Sequence, residues 1–114
     1  FRRRNADRIG ARAMILRYTP RARTDLREVQ EYISTTLKNP AAADRIVAKI
    51  LESCSLLKGQ PYMGAALAEK VGRETDLRYL ISGKYIVFYR VGQESISIIR
   101  ILDGRINYMR VLFQ

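Results

Sequence analysis

Basic side chains stand inside the most apolar part of this sequence. They are Arg78, Lys84, Arg90 and Arg100, and Arg105 follows them closely. A charge inside a core costs free energy unless it is paired, so we expect these side chains to reach a sheet edge, a groove or an acidic partner. Guanidinium and ammonium groups bind carboxylates and phosphates. The set therefore predicts contacts with an acidic macromolecule.

The sequence offers little for proton transfer at neutral pH. It contains no histidine, which excludes imidazole acid–base catalysis, a Ser-His-Asp triad and histidine metal ligands. The one cysteine, Cys54, lies in an apolar helical repeat, which predicts an inert core residue of a cytoplasmic protein. We expect no metal and no cofactor.

The charge of the chain also points to an acidic partner. Its 114 residues carry a formal net charge of +10, and the pI is about 10.3. Such a balance indicates nucleic acid or a protein with an acidic face as partner; the alternative is a solvated basic surface. No apolar run approaches the roughly 18 residues of a membrane span, so no membrane association is expected.

The first thirteen residues differ in composition from the rest. Residues 1–13 hold five arginines and one aspartate, a charge of +4, without a sustained apolar period. We interpret them as a leader or a disordered basic extension; the alternative is a basic arm that binds nucleic acid. Residues 14–114 are predicted to form a single domain, and they carry the remaining +6.

Apolar spacing and capping residues predict a strand followed by two helices. Met14–Tyr18 has the composition of a short strand, and Thr19-Pro20 supplies the cap and first-turn proline of a helix that ends near Leu37. Asn39-Pro40 repeats this start for a second helix, which Gly59 ends. The short connection predicts an antiparallel hairpin whose apolar stripe covers a sheet. Helical spacing places Asp25 on the polar side of the first helix.

Three strands are predicted in the second half of the chain, after a loop over residues 60–76. They span Leu77–Ser82, Tyr85–Val91 and Ser95–Leu102, with turn residues between them. The middle strand is apolar almost throughout, so both of its faces should be covered. Ile106–Phe113 is predicted to pack back as a short helix or strand. The fold class is α+β in the order β-α-α-β-β-β: a small, mainly antiparallel sheet that carries a two-helix hairpin.

The order and spacing of many residues together carry a family resemblance. In chain order they are Tyr18-Thr19-Pro20, Asp25-Leu26, Val29, Tyr32-Ile33, Pro40, Ala42-Ala43, Leu57, Pro61, Gly64, Leu77-Arg78, Tyr85 to Arg90, Ile98 to Leu102 and Gly104-Arg105. This pattern resembles the RelE/ParE superfamily of small bacterial toxins, and the ParE-like branch more than the RelE-like branch. The resemblance covers the chain from Met14 to Phe113.

The resemblance implies the toxin of a type II toxin–antitoxin module, often plasmid-encoded and linked to plasmid stabilisation. A cognate antitoxin would wrap the toxin with an acidic or amphipathic segment, in a hetero-oligomer that reaches operator DNA only through the antitoxin. The basic residues of the sheet would contact the antitoxin or the target. ParE-like toxins inhibit DNA gyrase, and RelE-like toxins cut messenger RNA on the ribosome. We favour gyrase inhibition; a third alternative is a non-toxic basic module that binds nucleic acid.

Under the nuclease alternative, the resemblance assigns catalysis to Arg78, Arg100 and Tyr108. Metal-independent RNA cleavage needs a base, an acid and cations around the pentavalent phosphorane. Glu74 and Asp103 are the candidate bases, and Asp103 falls where many family members have histidine.

The loop before the sheet lacks the dense lysine cluster of RelE-like nucleases. Only Lys70 and Arg73 stand there. Because neither an acid–base set nor this cluster is evident, the sequence favours a protein-binding toxin over an enzyme.

Overall fold

The computed structural model describes residues 13–114, so the predicted leader lies outside the described residues except for Ala13. The elements are β1 (Ile15–Tyr18), α1 (Pro20–Glu31), α2 (Pro40–Leu56), β2 (Ala65–Ala66), α3 (Leu67–Val71), β3 (Arg78–Ser82), β4 (Tyr85–Val91), β5 (Ser95–Asp103) and α4 (Tyr108–Phe113). A π-helical turn, Tyr32–Thr36, continues α1. The predicted α+β element order is confirmed. The prediction of a continuous loop over residues 60–76 is wrong, because β2 and α3 lie within it.

Both helices of the hairpin begin as their capping residues predict. Thr19 Oγ1 accepts a hydrogen bond from the Ala22 N–H at 3.1 Å, and Asn39 Oδ1 accepts one from the Ala42 N–H at 3.1 Å. A proline follows each cap, at a position where the missing N–H has no intrahelical partner. These local signals fix where α1 and α2 start and so set the length of the hairpin.

The five strands form one sheet in the order β1-β5-β4-β3-β2. β1 pairs with β5 in parallel, and the other neighbours are antiparallel, as predicted for a mainly antiparallel sheet. Phe88 pairs with Arg100 and Tyr89 with Ile98, so Ile99 is an extra residue that forms a bulge in β5. The bulge interrupts the regular alternation of β5 side chains between the two faces of the sheet.

The two faces of the sheet are covered by different elements. The hairpin packs on one face, here called the hairpin face, through a core that includes Ile50, Val87 and Tyr89. The opposite face carries a second core that includes Ile86 and Phe88, and residues of α3 and α4 pack there. Central strand β4 is therefore covered on both faces, which confirms the prediction for its apolar run.

The cysteine belongs to the hairpin-face core. Cys54 is fully buried, and burial raises the pKa of its thiol to about 11. A thiol with such a pKa is almost entirely protonated at neutral pH and is a poor nucleophile. The prediction that Cys54 lies in the core is confirmed.

Residues 13–114 contain neither a helix that could span a membrane nor a group of side chains that could hold a metal ion. No helix in this range is both long and apolar enough to cross a membrane. Nor does this range group three or more histidine, cysteine or acidic side chains in a way that could hold a metal ion.

Candidate functional site

Arg100, a predicted binding or catalytic residue, forms a buried ion pair with Asp25 of α1. Its Nε donates to Oδ2 of Asp25 at 2.8 Å, and its Nη2 donates to Oδ1 at 3.1 Å. The two side chains are 15% and 3% exposed. Two parallel charge-assisted bonds hold the guanidinium in one orientation. The charge of Arg100 is therefore neutralised inside the protein.

The unequal lengths of β1 and β5 explain why a carboxylate is buried here. β1 ends at Tyr18, which pairs with Ile98, whereas β5 continues to Asp103. Beyond that point the Ile101 N–H has no strand partner, and Oδ2 of Asp25 accepts it at 2.8 Å. The prediction that Asp25 lies on the polar side of the helix is wrong, because α1 crosses this edge and its carboxylate replaces the missing strand as acceptor.

Arg78 in β3 is also held by internal acceptors, in the loop after α2. We call residues Pro61–Gly64 the knob loop. Nη2 of Arg78 donates to the Gly64 carbonyl at 2.6 Å and to the Tyr62 carbonyl at 3.3 Å. The guanidinium carbon lies 5.0 Å from the centroid of the Tyr62 ring. Arg78 thus holds both the backbone of the loop and one of its side chains, and its charge has no carboxylate partner among residues 13–114.

Tyr89 of β4 also binds the backbone of the knob loop through its hydroxyl. Its hydroxyl donates to the Pro61 carbonyl at 3.0 Å and accepts from the Gly64 N–H at 3.0 Å. A Cβ atom on Gly64 would collide with the Tyr79 carbonyl oxygen and with the Tyr89 hydroxyl. Only glycine lets the backbone approach β3 and β4 this closely. The knob loop is consequently fixed at both ends.

Three of the predicted binding residues remain accessible to a partner. Arg90 pairs with Asp76 at 2.8 Å, and these side chains are 49% and 73% exposed. Arg105 is exposed and pairs with Asp103, while exposed Lys84 in the β3–β4 turn forms no ion pair with a described residue. Exposed pairs of this kind contribute only about 0–1 kcal/mol. A partner could therefore replace them at low cost.

Asp103, a candidate base, is poorly suited to accept a proton. The Arg105 guanidinium hydrogen-bonds the carboxylate at 3.0 and 2.7 Å, and this contact lowers the pKa of Asp103 to about 2. The Arg105 backbone N–H adds a further bond at 2.8 Å. A base with such a pKa is far from the neutral range in which general-base catalysis is efficient. Glu74, the other candidate base, is exposed just before β3.

Tyr108 lies on the sheet face opposite the hairpin. Its ring packs against Phe88, with the centroids 5.4 Å apart. Arg78 pairs across the strands with Tyr89 of the hairpin-face core, so it lies on the other face from Tyr108. Arg100 pairs across the strands with Phe88, but its guanidinium is bound to Asp25 of α1. The three residues assigned to catalysis therefore do not all lie on one face of the sheet.

Lys70 and Arg73 also lie on the face of α3 and α4. The ammonium of Lys70 stands 5.3 Å from the centroid of the Tyr79 ring, and the guanidinium of Arg73 stands 4.2 Å from that of Phe113. Both distances are those of cation–π contacts. These contacts attach α3 and the following turn to the sheet and to α4.

Comparison with known families decides what kind of protein this is. The model of the ParE toxin family, the toxins of parDE type II toxin–antitoxin systems, matches residues 16–108. The chain belongs to the ParE toxin family. The matched range includes the hairpin and nearly the whole sheet. No curated protein sequence matches the toxin significantly.

Two solved toxin–antitoxin structures resemble the toxin. The chromosomal ParDE system from P. aeruginosa matches with a TM-score of 0.67 and 26% identity, covering 80% of this chain and 96% of that chain. The RelBE2 complex from Mycobacterium tuberculosis matches with a TM-score of 0.57 and 25% identity. This match covers 80% of this chain and 91% of that chain. The predicted RelE/ParE superfamily fold, closer to the ParE branch, is confirmed.

Sequence reasoning missed the structural role of Asp25, although a signal was present. Asp25 shares a spacing of three, four and four with Ala22, Val29 and Ile33, and all of these are buried. A charged residue in such a stripe needs a partner, and a basic residue inside a strand is the complementary signal. The knob loop had a similar pair of signals in Pro61 and Gly64, two turn-forming residues three positions apart.

Proposed function

We propose that this toxin inhibits DNA gyrase by binding it as a protein and does not cleave RNA. The observation that carries the proposal is the buried ion pair of Arg100 with Asp25, which neutralises one of the two arginines assigned to catalysis. A nuclease would need these guanidinium groups free to surround a phosphorane. Arg100 is neutralised by Asp25, and Arg78 is bonded to the knob loop.

The positions of the titratable groups support the same proposal. Strand scission requires a proton acceptor tuned near neutral pH in addition to cations. Asp103, with its lowered pKa, is a weak acceptor, and Tyr108 packs on the sheet face opposite that of Arg78, which pairs across the strands with Tyr89. A toxin that acts by binding needs only a complementary surface.

We further propose that a cognate antitoxin with an acidic or amphipathic segment neutralises the toxin. Both similar structures are of toxin–antitoxin systems. Residues 14–114 carry a net charge of +6, and exposed Lys84 has no ion-pair partner among the described residues, so the surface has a positive field that would steer such a segment. Operator DNA would be reached through the antitoxin in the resulting hetero-oligomer.

The target is tested by two assays run on the same preparation. Purified toxin should inhibit gyrase supercoiling and trap cleaved DNA, and it should leave messenger RNA on programmed ribosomes intact. A Tyr108→Phe variant serves as the control, because it keeps the ring against Phe88 and removes only the hydroxyl. Messenger cuts at defined codon positions that disappear in this variant, with gyrase unaffected, would establish the nuclease instead.

The antitoxin proposal is tested by the salt dependence of association. Exposed charges are screened beyond about 8 Å at physiological ionic strength. The association rate constant with the cognate antitoxin should fall as salt rises, and a Lys84→Ala, Arg105→Ala variant should lower both the rate constant and its salt slope. Equal rate constants for the wild type and the variant at every salt concentration would refute electrostatic steering by these residues.

A further inference from the structure

We propose that the knob loop, Pro61–Gly64, is the part of the toxin that inserts into its target, with Tyr62 and Met63 entering an apolar pocket on a folded protein. The inference rests on the proposed function, in which the target is gyrase. It names the surface of the toxin that contacts the target and the kind of pocket that receives it on the target. Neither follows from the fold or the family.

The backbone of the knob loop is held in one conformation from within the toxin. Arg78 binds the carbonyls of Tyr62 and Gly64, and the Tyr89 hydroxyl binds the Pro61 carbonyl and the Gly64 N–H. Tyr89 is fully buried and ordered by the core around it. Four of the polar backbone groups of a short loop thus have fixed partners, and glycine is required at its end. The backbone of the loop is therefore already in one conformation before it meets a partner.

The side chains of the same loop point outward. Tyr62 is 65% exposed and Met63 is 43% exposed, although both are large and apolar. The Arg78 guanidinium stands 5.0 Å from the centroid of the Tyr62 ring, and this cation–π contact favours the observed ring orientation. A rigid aromatic anchor loses little conformational entropy on binding, and methionine adapts to irregular pockets. Aromatic anchors of this kind dominate the binding energy of protein interfaces.

The shape of the loop favours a folded target over the antitoxin. Two adjacent exposed side chains on a short, fixed loop suit a compact pocket on a folded protein, whereas an extended segment that wraps a toxin binds through a long, shallow surface. The positive charge of Arg78 beside the ring has no carboxylate partner in residues 13–114. The pocket should therefore be apolar inside and carry a carboxylate at its rim.

The first experiment truncates the two displayed side chains. A Tyr62→Ala, Met63→Ala variant should need at least about tenfold more protein to inhibit gyrase supercoiling, as loss of an interface anchor predicts. Its melting temperature and its dissociation constant for the antitoxin should match the wild type. Ile81→Ala is the matched control: Ile81 is 63% exposed but lies in β3, and its truncation should leave inhibition unchanged.

The second experiment keeps both side chains and frees the loop. Tyr89→Phe removes the hydroxyl that binds Pro61 and Gly64, so amide exchange at Gly64 should accelerate. Inhibition should weaken by less than in the double truncation and by more than in the Ile81 control. Faster exchange with wild-type inhibition would show that the fixed conformation is irrelevant to binding.

The remaining outcomes separate this inference from the proposed function. Wild-type inhibition in the double truncation overturns the role of the loop and leaves gyrase as the target. A matching loss of antitoxin affinity overturns it too, because the loop would then be an antitoxin contact. A wild-type toxin that does not affect gyrase overturns the proposed function and this inference together.

Discussion

Arg100 and Arg78 lie on strands separated only by β4, and internal acceptors hold both of them, but the two environments differ. Arg100 meets a carboxylate of α1 that is 3% exposed, so charge and counter-charge are buried together. Arg78 contacts two carbonyl oxygens and the Tyr62 ring of the knob loop, and it has no carboxylate partner among residues 13–114. The first arrangement joins the hairpin to the sheet, and the second shapes a surface loop.

This difference shows what a basic residue within a strand can do. Burying a guanidinium requires a paired anion, and the pair then becomes part of the core. A guanidinium bonded to carbonyls near the surface keeps its charge and adds it to the field of the molecule. Arg78 can therefore position the knob loop and still attract an acidic partner, whereas Arg100 contributes nothing to the external field.

The largest expected effect comes from breaking the buried pair. Asp25→Ala would leave the Arg100 guanidinium without its anion and the Ile101 N–H without an acceptor. We expect the free energy of unfolding to fall by about 3–5 kcal/mol, the usual cost of removing one partner of a buried ion pair. Urea unfolding followed by circular dichroism measures this change.

A conservative variant separates charge from hydrogen bonding at this position. Asp25→Asn keeps an oxygen that can accept the Ile101 N–H and removes the negative charge. Its free energy of unfolding should therefore lie between that of the wild type and that of Asp25→Ala. If Asp25→Ala unfolds at the same urea concentration as the wild type, the buried pair does not stabilise the junction of α1 and β5.

A smaller effect is expected at the knob loop. Arg78→Ala removes the donor to the Tyr62 and Gly64 carbonyls, which water can partly replace because the loop lies at the surface. The free energy of unfolding should fall by about 1–2 kcal/mol, near the value for a lost charge-assisted hydrogen bond. Amide exchange within residues 61–64 should accelerate while exchange in α1 stays unchanged. A loss as large as that of Asp25→Ala would mean that Arg78 also secures the core.

Arg90 provides the exposed case for the same comparison. Arg90→Ala breaks the pair with Asp76, in which both side chains are about half exposed or more. Surface pairs contribute about 0–1 kcal/mol, so the melting temperature should change by only a few degrees. Added salt should reduce even this difference. A change comparable to that of Arg78→Ala would place a further, unrecognised contact at Arg90.

The hairpin and the three long strands could be predicted because their local signals are strong. Thr19 and Asn39 cap the helices before a proline, and the β-branched and aromatic composition of Tyr85–Val91, between turn residues, is typical of a buried strand. β2 and α3 escaped prediction because each is short and owes its position to tertiary contacts. Ala65–Ala66, for example, is a strand only because β3 lies beside it.

The candidate site was harder to predict, because sequence shows which residues carry charge and does not show their partners. Asp25 and Arg100 are 75 positions apart in the chain. Their pairing depends on the point at which β1 stops along β5, which no local pattern specifies. Tyr89 posed the same difficulty, since its ring is an ordinary core side chain and only its hydroxyl serves the knob loop.

The smallest effect concerns Asp103, whose pKa the Arg105 side chain lowers to about 2. Because the unfolded value is about 3.9, ionised Asp103 favours the folded state above that pH, and this contribution is lost as pH falls towards 2. Arg105→Gln should raise the pKa of Asp103 as measured by carbonyl NMR titration. The rise should remain incomplete, because the backbone N–H of residue 105 still donates to the carboxylate at 2.8 Å. An unchanged pKa in this variant would mean that the exposed guanidinium is not the group that holds Asp103 ionised.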